Sequence, residues 1–289
     1  MFGIRYNVNT CDRIYNEIMV HFTSKCPNQC VYCIDKFNKG VNWQRLPNVE
    51  LMCENIEKYK NHATCITISG GEPCMYMDEL SILVDYIKRH TNLHITLITS
   101  VPTECYSKSD LFFSIIEKVD NLAISTQHFR EDYACRIRGH QDFFDRQEFY
   151  KELPYKDKIC INLNLINPWL ACKNAVCKAI MHYNNMGYKN IRIAELSNRD
   201  EMYVSFEEIF GIKMESPFAH GCKTDNFDIS KWCPDFNGSL TVKRQCFMNC
   251  NKLHANMKDM VKICTCNIFS KKHFFGVIYE DGNIYPYWQ

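Results

Sequence analysis

The sequence lacks several features that would each assign a function class at once. It has almost no net charge, with 34 Lys and Arg against 33 Asp and Glu and a formal value of +1. No polybasic stripe or acidic block appears, so nothing in the charge pattern indicates nucleic acid or a membrane surface as a partner. No window approaches the roughly 20 apolar residues of a membrane span. The first ten residues lack the charged start and apolar stretch of an export signal. No internal repeat or low-complexity linker divides the chain. These absences give the expectation of a soluble, cytoplasmic protein.

Cysteine, by contrast, is abundant: 18 copies in 289 residues. Disulfide scaffolds are usually short and exported, whereas clustered cysteines in a reducing compartment more often bind metal. The isolated ones (Cys11, Cys53, Cys65, Cys74, Cys105, Cys135, Cys160, Cys172 and Cys177) are read as small side chains of the interior.

The first two thirds of the chain repeat one unit, a short apolar or β-branched run followed by a stretch with helical spacing. Strands are expected at Glu17 to Phe22, Cys65 to Ser69, His94 to Thr99, Asn121 to Thr126, Lys158 to Leu165 and Asn190 to Leu196. Helices are expected at Val49 to His62, Met77 to His90, Ser109 to Val119 and Lys173 to Met186. Six such βα units imply an α/β fold with a parallel sheet, either open or a partial (βα)6 TIM-like barrel. Alternation favours the barrel. If Ile18, Val20, Phe22, Ile66, Ile68, Leu122, Ile124, Ile161, Leu163 and Leu165 face the helices, then His21, Thr23, Thr67, Ser69, Ser125, Gln127, Asn162 and Asn164 line a polar lumen. The expected organisation is a barrel over residues 1–205 and a small cysteine-rich extension over 206–289. A hairpin is expected at Phe275 to Tyr285, turning through Glu280-Asp281-Gly282-Asn283.

After the first strand stands Cys26-Pro27-Asn28-Gln29-Cys30-Val31-Tyr32-Cys33, a Cys-x3-Cys-x2-Cys loop. Three thiolates on a four-iron cube leave one iron open to a small molecule. A zinc knuckle completed by a distant side chain is the other reading of the spacing alone. The second strand ends in Gly70-Gly71-Glu72-Pro73, where two glycines let the backbone approach a ligand that a Cβ would obstruct.

Together these motifs resemble the radical S-adenosylmethionine (SAM) superfamily over roughly residues 15 to 200. The resemblance implies a 4Fe-4S cluster on Cys26, Cys30 and Cys33, with SAM chelated by the open iron. It implies that Gly70, Gly71, Glu72 and Pro73 contact the SAM amino group, that Tyr32 lies near adenine, and that Ser125 holds the ribose or methionyl group. It further implies Arg138 for the SAM carboxylate, Asn164 for the ribose, and Ile193 and Leu196 for adenine. The activity implied is reductive cleavage of SAM to a 5′-deoxyadenosyl radical that abstracts hydrogen, fed by an external one-electron donor such as flavodoxin or ferredoxin. The sequence does not identify the substrate: a peptide or protein side chain is one reading, and a nucleotide or other small molecule is the alternative. A noncatalytic electron-transfer or metal-binding protein is the alternative of another class.

Cys222, Cys246, Cys250, Cys264 and Cys266, with Cys233 between them, suit a second iron–sulfur cluster, a zinc ion or plain buried thiols. The segment is faintly similar to the SPASM or Twitch auxiliary-cluster extension but lacks its regular cysteine run.

Overall fold

The computed structural model describes residues 16–33, 46–141, 144–196, 201–211, 223–244 and 274–285. Six strands follow one another with helices between them: β1 (Asn16–His21), β2 (Cys65–Ser69), β3 (His94–Thr99), β4 (Asn121–Thr126), β5 (Ile159–Leu165) and β6 (Asn190–Glu195). All pair in parallel in chain order. The intervening helices are α1 (Val49–Tyr59), α2 (Met77–His90), α3 (Thr103–Ser107), α4 (Ser109–Lys118), α5 (Glu131–Arg138), α6 (Arg146–Glu152) and α7 (Lys173–Asn185), followed after β6 by α8 (Phe206–Phe210).

Helix α2 shows why these segments are helical. Met77, Leu80, Leu83, Val84 and Ile87 fall on one face and are buried, while Asp78 and Glu79 open the helix and Lys88, Arg89 and His90 close it. Acid at the first turn and base at the last both complement the helix dipole. The strands bury alternate residues against these helices. Ile18, Val20, Ile66, Ile68, Leu97, Leu122, Ile124, Ile161, Leu163, Ile191 and Ile193 join one core with the helix residues. Each such side chain contributes roughly 1.5–3 kcal/mol. The opposite face carries Thr67, Ser69, Ser125, Asn162 and Asn164, all only half-buried. The polar inner face expected from alternation is therefore present.

The sheet is larger than the six strands read from the sequence. β7 (Lys223–Asn226), β8 (Ser239–Arg244), β9 (Phe274–Ile278) and β10 (Ile284–Tyr285) extend it to ten, in the order β10-β9-β1-β2-β3-β4-β5-β6-β8-β7. β8 runs parallel to β6 and β9 parallel to β1, so eight strands are parallel. β7 and β10 are antiparallel caps on the two edges. The C-terminal strands thus flank the barrel on both sides. The expected hairpin exists as β9–β10, turning at Gly282 with φ +84°. That turn sits on α1, where Asn55 Nδ2 donates to the Gly282 carbonyl at 2.9 Å. No helix among the described residues is long and apolar enough to cross a membrane.

Candidate active site

The C-terminal ends of the strands converge at one mouth, where parallel α/β folds place their chemistry. The cysteine loop leaves β1 there and is held at three points. The Gln29 N–H donates to the Arg138 carbonyl at 2.6 Å and the Val31 N–H to the Ile137 carbonyl at 2.9 Å, so the end of α5 backs the loop. Gly139 closes α5 with φ +63°, and a Cβ there would lie 3.3 Å from the Gln29 Cβ. On the other side, the Gly71 N–H donates to the Thr23 carbonyl at 2.6 Å and the Glu72 N–H to the Lys25 carbonyl at 2.9 Å. The two glycines are required by this contact: a Cβ on Gly70 (φ +135°) would lie 2.5 Å from the Thr23 oxygen, and one on Gly71 2.6 Å from the Ser24 and Lys25 oxygens. The close approach expected toward a ligand at this turn is made instead to the chain's own cysteine loop.

Glu72 is fully buried, and its carboxylate is a hub. Oε1 accepts from Thr99 Oγ1 at 2.6 Å and the Cys74 N–H at 3.1 Å. Oε2 accepts from the Ser100 N–H at 2.7 Å and Ser100 Oγ at 2.5 Å. Asn28 Nδ2, inside the cysteine loop, donates to the same Ser100 hydroxyl at 2.8 Å, and the buried Arg146 donates to the Ser100 carbonyl at 2.8 Å. A third restraint comes from the far end of the chain, where the buried Glu280 accepts from the Ser24 N–H through Oε2 at 2.7 Å. Beside it, Tyr279 packs on His21 with ring centroids 5.3 Å apart. Asn28, Ser100, Arg146 and Glu280 escaped the sequence reading. No local pattern marks them, because their partners are 46 to 256 residues away.

The donor set fits an iron–sulfur cube. Cys30 and Cys33 are half-buried and Cys26 is at the surface of the loop. The Cys26 thiol is nonetheless pushed up to about 12, first by desolvation and next by the Glu72 charge, and the other two sulfurs raise it further. Thiols held this way deprotonate when a metal supplies the compensating charge. Among the described residues no three His, Cys, Asp or Glu groups converge on a point, as a single ion requires. The thiolates of a cube bind different irons and need no such convergence.

Tyr32 is brought together with Asn164 and Leu196. Tyr32 packs with Ile137, Ile166 and Leu196 in a small apolar cluster separate from the main core. Its hydroxyl bonds Asn164 and Gln127, and burial raises its pKa. Ser125 lies beside Asn162 in the strand register and accepts from Gln127 Nε2 through its carbonyl at 3.1 Å. Ile193 is elsewhere: it sits fully buried in the main core, because its parity along β6 turns it toward the helices. The Arg138 guanidinium is also buried, paired with Glu131 and donating to the His140 carbonyl at 3.0 Å. Cys233 packs against Cys177 on α7, hydrogen-bonded thiol to thiol. Cys222, Cys246, Cys250, Cys264 and Cys266 lie outside the described residues.

A parallel partial barrel with a three-cysteine loop braced at the mouth of its first strand defines a class of iron–sulfur enzymes that bind a small molecule at an open iron. A family model, the radical SAM superfamily, matches residues 20–166, half of the chain, and the chain belongs to that superfamily. Its members use a 4Fe-4S cluster and SAM. In sequence the chain is similar to a GTP 3′,8-cyclase of Lactiplantibacillus plantarum (strain ATCC BAA-793 / NCIMB 8826 / WCFS1), 23% identical over 280 residues that cover 88% of this chain and 80% of that protein. In structure it is similar to Streptococcus suis SuiB bound to S-adenosylmethionine, with a TM-score of 0.62 and 13% identity. The same SuiB bound to its precursor peptide SuiA gives a TM-score of 0.61 and 12% identity. Both matches cover 95% of this chain, which spans 60% of the SuiB chain.

Proposed function

We propose that this chain cleaves SAM reductively and abstracts hydrogen from a substrate held over the inner face of the barrel. The observation that carries the reading is the loop of Cys26, Cys30 and Cys33, braced by Arg138 and Ile137 carbonyls on one side and by the Gly70-Gly71 turn on the other. The three cysteines would hold the 4Fe-4S cluster, which with bound SAM supplies one electron to the sulfonium and a 5′-deoxyadenosyl radical for hydrogen abstraction. The rest is positioning. Tyr32, Ile166 and Leu196 offer an apolar wall for adenine, with Asn164 at its polar edge. Ser125 and Asn162 line the inner face, where they can orient the ribose or the substrate. Gly70 to Pro73 present backbone groups at the mouth, and Glu72 locks that turn to β3. The Arg138 side chain, already paired, is read as a brace for α5 and the loop rather than a SAM ligand. Electrons come from a one-electron donor of the flavodoxin or ferredoxin kind.

The substrate we favour is a peptide or protein side chain, supported by the likeness of the fold to SuiB, which has been solved with a precursor peptide. A nucleotide is the second reading, supported by sequence similarity to a GTP 3′,8-cyclase along most of both chains. The test is anaerobic reconstitution followed by dithionite and SAM. The expected product is 5′-deoxyadenosine, abolished by Cys30→Ala. A protein that carries the cluster yet leaves SAM intact is an electron carrier, and the proposal fails.

A further inference from the structure

We infer that the inner face carries an anion subsite built on Arg192, which receives an oxyanion group, phosphate or carboxylate, of the substrate. This rests on the reading of the barrel mouth as the substrate chamber. Arg192 is the third residue of β6. Ile191 and Ile193 on either side are buried in the main core, so the period of the strand turns Arg192 to the inner face. There it is in register with Asn162 of β5 and Thr241 of β8, and Asn162 is in turn in register with Ser125.

Arg192 is half-buried, and among the described residues its solvent-shielded Nε has no acceptor and no carboxylate pairs with the guanidinium. The carboxylates of β1 and β6 are engaged elsewhere. Glu17 accepts from Thr67 Oγ1 at 2.6 Å, and Glu195 lies on the opposite face of β6, where it accepts from the Phe206 N–H at 2.8 Å and the Tyr203 hydroxyl at 3.3 Å. The other two inward-packed guanidinium groups described above each have an acceptor, Arg138 in Glu131 and the His140 carbonyl, Arg146 in the Ser100 carbonyl, although the Nε of Arg146 is likewise unbonded. A shielded N–H without an acceptor costs stability. A ligand oxyanion removes that cost, because the planar fork binds carboxylate or phosphate in a bidentate way. The polar side chains of Asn162 and Ser125 in the same row can complete the site.

Calorimetric titration of pyrophosphate and of glutarate into the cluster-loaded protein, with and without SAM at low salt, separates the two oxyanions. At least one is expected to bind, roughly tenfold or more weakly to Arg192→Gln and with an intermediate loss to Arg192→Lys. Equal binding to wild type and Arg192→Gln, or no binding of either anion, overturns the inference. A loss that falls on SAM affinity instead assigns the guanidinium to the SAM carboxylate and also overturns it. The Tm of Arg192→Gln is expected to equal or exceed that of wild type, since no contact is removed. A fall of more than about 3 °C reveals a structural partner and counts against the subsite. Failure of SAM cleavage would sink the proposed function while leaving the anion titration readable.

Discussion

Replacing Glu72 by Gln separates two roles for the Gly-Gly-Glu-Pro turn. Each carboxylate oxygen of Glu72 accepts from one hydroxyl and one backbone N–H: Thr99 and Cys74 at Oε1, Ser100 twice at Oε2. Whichever oxygen becomes the amide nitrogen of Gln therefore faces a backbone N–H, which cannot turn around to accept. One charge-assisted bond is lost outright, about 1.5–3 kcal/mol, and the bonds to the remaining oxygen lose their charge assistance. The total is roughly 3 kcal/mol, or about 5 °C in Tm for a chain of this size. Anaerobic thermal unfolding of the cluster-free and cluster-loaded protein measures it, with SAM affinity followed in parallel. If Glu72 acted only on the SAM amino group, Glu72→Gln would keep its Tm within about 1 °C and lose SAM affinity alone. That result would refute the reasoning.

Two further outcomes follow from the same geometry. Gly70→Ala sets a Cβ 2.5 Å from the Thr23 oxygen at φ +135°, a strain of roughly 3 kcal/mol or more on the cysteine loop. Iron per chain after reconstitution should drop from about 4 to below about 1, and full iron loading would contradict the bracing role. His128 is buried and its pKa is lowered to about 4, by desolvation first and the Arg130 charge second, while its neutral Nδ1 accepts from the Arg130 N–H at 2.9 Å. The folded state then binds fewer protons than the unfolded one below its ordinary pKa. Stability is fully present above about pH 6.5 and is lost as pH falls toward 4, by at most about 3 kcal/mol. His128→Gln should flatten the Tm-against-pH curve over that window, and an unchanged slope would exclude His128 as the cause.

Much of the barrel was legible because its strands and helices repeat with clean periods. Met77–His90, Cys65–Ser69 and Asn121–Thr126 coincide with the expected limits. Alternation along β1, β2, β4 and β5 assigned the two faces correctly, since each strand buries one face against helices. Ile193 was assigned to the wrong face for the same reason: parity is decisive, and its pairing with Leu196 joined residues of opposite parity. Strand β8 was hidden, and so was the pairing of the expected hairpin strand β9 with β1, because parallel partners more than 40 residues from β6 or 200 from β1 leave no local signature. α5 is absent from the helices expected and enters only through Arg138, although its last two carbonyls brace the cysteine loop. Backbone acceptors carry no side-chain identity, so a sequence cannot display them.

The contact between Ser24 and Glu280 orders events in time as well as in space. These residues are 256 positions apart. A ribosome must synthesise through residue 280 before the segment leading into the cysteine loop gains its last support, and closing so distant a pair carries the entropy of the whole intervening chain. Until then Cys26 hangs from a strand whose outer neighbour does not exist. The loop is therefore fully braced for a cofactor only after β9 has docked.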